Sequence, residues 1–170
     1  NLHYLTGFSE PDAIAVFRHV GGKKEFIIFV PPKDLSREIW NGYRLGVEAA
    51  PEALGADRAF SNEEFDKQIL GLMKGADRLY YSFFKTPLRN GVESIDTKIL
   101  RLADEYRASL GRSGRGLIPI FDVNELLGEL RIFKSKDEVE NLRKAGQLSA
   151  KAHTEVMMRV RPGLYEHQVE

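Results

Sequence analysis

The sequence predicts an α/β domain with a mixed sheet over residues 1–132, followed by a helical segment of different character over residues 133–170. Three observations carry that division. Two β-branched and aromatic runs, AIAVFRHV (13–20) and FIIFV (26–30), are separated by Gly21, Gly22 and two lysines, which is hairpin chemistry. Helix and strand patterns then alternate, as they do in α/β domains. From Ser135 onward a single long helical repeat replaces the alternation.

Each element has a local reason. FSEP (8–11) reads as a turn, because Ser, Glu and Pro punctuate. Pro31 and Pro32 end the second strand run, since neither offers an N–H to a ladder, and Asp34 is placed to cap a helix through LSREIWNGYRLG (35–46). DRAF (57–60) predicts a short strand. SNEEFDKQILGLMKG (61–75) has Ser61 as N-cap, Glu64 three residues on, Phe65, Ile69 and Leu72 at helical spacing, and Gly75 as terminator. RLYYSFF (78–84) predicts a buried strand from its aromatic content. Ile95, Ile99, Leu102 and Tyr106 mark one face of a long amphipathic helix ending near Gly111. GLIPIFDV (116–123) predicts a strand that Pro119 confines to an edge or a bulge, and NELLGELRIF (124–133) a short helix or turn.

Ser135 followed by Glu138 forms a capping box, in which each side chain satisfies a free backbone N–H of the other residue. Val139, Leu142, Gly146, Ser149, Ala152 or His153, Val156 and Val160 then recur at helical spacing. Small residues dominate this stripe, so the helix is expected to lie flat against a large element. Pro162 and Gly163 break it, and LYEHQVE (164–170) begins a further helical pattern. The start at Asn1 and the end within that pattern lead to the expectation that both ends are cuts in a longer polypeptide.

Composition narrows the function classes. Lys plus Arg equals Asp plus Glu at 25 each, so no net field draws the chain to phosphate backbones or anionic lipid, and neither nucleic acid nor membrane is an expected partner. The absence of cysteine excludes disulfide scaffolds and thiolate metal sites, and fits an expected cytoplasmic location. FIIFVPP (26–32), the longest apolar stretch, is too short to span a bilayer, and the N-terminus has no basic-then-apolar leader pattern.

No HExxH, GxSxG or Walker loop occurs, and GRSGRG (111–116) lacks the strand-then-helix setting of a phosphate loop. His153 reads as a hydrogen-bonded core histidine within the helix stripe. Glu166, His167 and Glu170 read as the solvated first turn of a helix, with acids favoured by its dipole. Trp40, the only tryptophan, stands beside Asn41, Tyr43 and Arg44. Core packing and a place at an interface or pocket rim carry equal weight for it.

NLHYLTGFSEPDAIAVF, DLSREIWNGYRLGVEAAPEALGADRAFS and LRIFKSKDEVENLRKAGQLSAKAHTEVM, with RPGLYEHQVE after it, occur in that order. Together they resemble the amino-terminal domain and first catalytic-domain helix of the bacterial Xaa-Pro aminopeptidase, or aminopeptidase P, family. The resemblance implies a creatinase-type amino-terminal domain, ribonuclease-H-like with flanking helices, over residues 1–132, and the start of a pita-bread metallopeptidase domain over residues 133–170. It implies a dinuclear-metal exopeptidase that releases the first residue of peptides with proline second. Two divalent ions, expected to be manganese, would be held by two Asp, one His and two Glu supplied beyond residue 170. This chain would then hold no metal ligand or catalytic residue, and would supply a pocket lid and oligomer contacts. Trp40 and an arginine of the 111–116 loop, Arg112 or Arg115, are the substrate-binding residues the resemblance implies, in a homo-oligomer of two or four subunits. Two rivals are a prolidase of the same architecture and a non-catalytic pita-bread protein that binds peptides.

Overall fold

A computed structural model of the chain describes residues 1–84, 93–112, 114 and 116–168. In chain order the elements begin with α1 (Leu2–Thr6), β1 (Ile14–Val20), β2 (Lys23–Val30), α2 (Leu35–Asn41), α3 (Gly46–Leu54) and β3 (Arg58–Ser61). They continue with α4 (Phe65–Met73), β4 (Leu79–Tyr80), α5 (Ile95–Ser109), β5 (Ile120–Phe121), α6 (Val123–Ile132) and α7 (Lys136–Arg159). Two compact units divide at residues 122 and 123.

In the first unit, β1 and β2 form the expected hairpin. Val20 pairs with Lys23, and Gly21 and Gly22 between them take φ of 59° and 79°, the left-handed geometry of a tight two-residue turn. β2 also pairs in parallel with β3, giving a mixed sheet in the order β1-β2-β3. A parallel pair needs a crossover, and α2 and α3 form it.

β2 is the central strand, and its side chains alternate between two cores. Ile27 and Phe29 meet Phe65, Ile69, Leu72 and Met73 of α4 and Ile99, Leu102, Ala103 and Tyr106 of α5. Ile28 and Val30 meet Phe8, Ala50 and Ala56 on the opposite face. All four strand residues are fully buried, which explains a run that is continuously apolar rather than alternating. Arg18 ties β1 to the end of α4. Its Nε and Nη2 donate to the carbonyls of Leu72 and Lys74 at 2.8 and 3.0 Å, while Nη1 pairs with Glu25 at 2.8 Å. Guanidinium donors thus satisfy carbonyls that the helix end leaves free.

The run RLYYSFF is not a full strand. Only Leu79 and Tyr80 pair, in parallel with Ile120 and Phe121, so the strands fall into a three-stranded and a two-stranded sheet. The ladder closes at Tyr81, whose N–H reaches the Phe121 carbonyl at 2.9 Å, and Phe84 turns away at φ 60°. The aromatic rings that suggest strand pair with each other instead: Tyr81 and Phe83 meet edge-on at 4.8 Å.

In the second unit, α7 opens with the expected capping box, complete in both directions. No described residue of α7 is buried. His153, expected as a core histidine, is exposed among the described residues. Its Nδ1 lies 2.7 Å from the Ser149 carbonyl, one turn back, and the ring is exposed. After the break at Pro162 and Gly163, the expected helix is a single 3₁₀ turn, Glu166–Gln168, and residues 169 and 170 lie outside the described part. Among the described residues, no helix is long and apolar enough to cross a membrane.

Candidate functional site

Trp40 stands on α2, a helix begun by Asp34, whose carboxylate accepts the Ser36 N–H at 3.0 Å. Its indole is 87% exposed, which decides against core packing. Leu35, Ile39 and Tyr43 are also largely exposed, so the crossover presents several apolar and aromatic side chains to solvent. The Lys33 ammonium lies 4.8 Å from the centre of the Tyr43 ring.

Behind this surface the chain is pinned. Glu38 Oε1 accepts the Arg44 N–H at 3.1 Å, and Glu10 Oε1 accepts the Leu45 N–H at 2.8 Å. Glu10 Oε2 lies 3.7 Å from Arg44 Nη1, near enough to pair electrostatically but too far for a hydrogen bond. The turn expected at FSEP is thus an anchor as well. Sequence reasoning misses this because Glu10 and its backbone partner are 35 residues apart.

Arg112 is exposed in the turn after α5. No hydrogen bond, ion pair or ring contact joins it to Trp40, which lies on the crossover leading to α3, whereas α5 packs on the opposite face of the sheet. Arg115 lies outside the described residues. Among the described residues, no three His, Asp or Glu converge as a metal ligand set, so these side chains do not by themselves fit a dinuclear centre.

Residues 1–80 match the family model described as aminopeptidase P, N-terminal domain. Over 168 residues, 98% of this chain and 37% of the relative, the sequence is 33% identical to an Xaa-Pro aminopeptidase of Escherichia coli strain K12. Residues 1–80 carry the aminopeptidase P amino-terminal domain. A Haemophilus influenzae Xaa-Pro aminopeptidase is 34% identical over 98% of this chain and 35% of its own length. The solved structure of proline aminopeptidase P II from Yersinia pestis superimposes with a TM-score of 0.84 at 34% identity, covering 99% of this chain and 37% of that one. The chain therefore spans little more than a third of these aminopeptidase P relatives. The creatinase-type α/β fold expected from the resemblance is the aminopeptidase P fold.

Proposed function

We propose that this chain is the amino-terminal part of an Xaa-Pro aminopeptidase, an exopeptidase that releases the first residue from peptides with proline in second place. The observation that supports this reading is the agreement of sequence and backbone with aminopeptidase P over nearly the whole chain. Residues 133–170 then open a pita-bread catalytic domain, and two divalent ions, manganese by expectation, are held by residues outside this chain. The first unit acts as a pocket lid and oligomer contact in a cytoplasmic enzyme. Trp40 lines the entrance for the substrate, with Arg112 or Arg115 closing on it. An exposed, preformed aromatic surface is suited to the proline ring, which offers a flat apolar face and no N–H.

The test uses the complete protein that carries this chain, supplied with manganese and offered an Xaa-Pro-Yaa tripeptide and an Xaa-Pro dipeptide. Release of the first residue from the tripeptide is the expected outcome. Preference for the dipeptide would make it a prolidase, and binding without cleavage a peptide-binding relative. Trp40→Ala is expected to raise KM for the tripeptide by about tenfold, as loss of an aromatic anchor does.

A further inference from the structure

The loop that carries Trp40 is closed at its base. Gly46 sits at φ 75°, and a Cβ added there would come within 3.0 Å of Lys33 Cβ, so the two ends of the 33–46 segment are in contact and the position is restricted to glycine. Leu35, Ile39, Trp40 and Tyr43 all project from this loop, 68% to 87% exposed, so of its apolar side chains it is Leu45, at the loop's end, that packs against the core of Phe8, Ile28 and Val30. Polar contacts fix the same end. The Glu10 side chain, 17% exposed, engages both Arg44 and Leu45 from a segment that α1 and Gly7 bring alongside. One carboxylate oxygen is hydrogen-bonded to backbone. The other is buried without a hydrogen bond, and among the described residues its ion-pair partner is the Arg44 guanidinium.

From this geometry we infer that Glu10 is a positioning residue: by clamping residues 44 and 45 it fixes the base of the 33–46 loop and so the attitude of the Trp40 indole. Glu38, bonded to the Arg44 N–H from inside the loop, makes the clamp two-sided. A carboxylate is suited to this place because it can accept from a backbone N–H and attract a guanidinium at once, whereas a glutamine keeps only the first. The consequence for substrate rests on the reading of Trp40 as an entrance residue, while the clamp itself does not.

The experiment compares Glu10→Ala, Glu10→Gln and Trp40→Ala in the complete protein by hydrogen exchange and by kinetics on the tripeptide. Glu10→Ala is expected to speed amide exchange across residues 34–45 by about tenfold while β2 and α4 keep their protection, with Glu10→Gln intermediate. Unchanged exchange in that loop in both variants would overturn the clamp, as would equal loss of protection in β2 and α4 in both. If Glu10 acts through the indole, Glu10→Ala raises KM with little change in kcat, and adding it to Trp40→Ala raises KM no further. A full additional increase on the Trp40→Ala background would overturn action through Trp40. Loop exchange that rises while Trp40→Ala leaves KM unchanged supports the clamp and removes the entrance reading instead.

Discussion

Asp96 is the only buried charged residue among those described. Its two oxygens accept from the Tyr81 hydroxyl at 2.7 Å and from the Phe84 N–H at 2.8 Å, which holds the turn after β4 against the start of α5. Burial pushes the Tyr81 phenol well above its ordinary range, and the hydrogen bond to Asp96 adds to this. A phenol that holds its proton more tightly when folded contributes stability in full below the unfolded value, about 10. That contribution is lost as pH rises past it, because the unfolded chain then releases a proton that the folded one keeps. Stability measured by urea unfolding is thus expected to fall above about pH 10. Tyr81→Phe is expected to flatten that fall while lowering stability at neutral pH. An equal alkaline slope in the variant would remove the phenol from the account.

Single residues were legible in the sequence to the degree that their roles were local. Asp34 and Ser135 were readable as caps because a cap and its N–H lie within three residues of each other. Trp40 was not, since the same aromatic in the same helix suits a core or a rim equally, and only its exposure separates the two. Glu10 looked like part of a turn.

Among elements, α7 is the clearest case of sequence determining structure. Its 24 residues run between a complete capping box and the Pro162 break, and all its described residues remain unburied. The cap gives partners to N–H groups that the first turn leaves free. Ser135→Ala is expected to cost about 1 kcal/mol there, and Ser135→Gly only a few tenths. Hydrogen exchange over residues 136–140 would read this as a roughly fivefold acceleration for the alanine variant. The strand pair β4 and β5 is the opposite case. Aromatic content suggested seven residues of strand at 78–84, and two formed. β propensity reports that a side chain fits a half-buried surface, and here the rings found that surface in one another.

For the whole first unit, β2 is the shared wall of two cores. Phe29, fully buried, stacks on Phe60 at 5.5 Å and meets Phe65 edge-on at 5.1 Å, so it joins β2, β3 and α4. Phe29→Ala is expected to cost about 3–5 kcal/mol, enough to unfold a marginal domain. Equilibrium urea unfolding would test this, and a loss below about 1 kcal/mol would mean that the core closes around the gap. The sequence alone determined the hairpin, the capped helices, the apolar stripes of α4 and α5, and the resemblance to aminopeptidase P, because these rest on contacts between near neighbours or on the order of motifs. The tertiary structure decided that the strands form two sheets, that Trp40 is presented to solvent, and that Glu10 grips the far end of the Trp40 loop. Those outcomes depend on residues tens of positions apart meeting in space, and hydrophobic periodicity contains no record of which distant polar group will be waiting there.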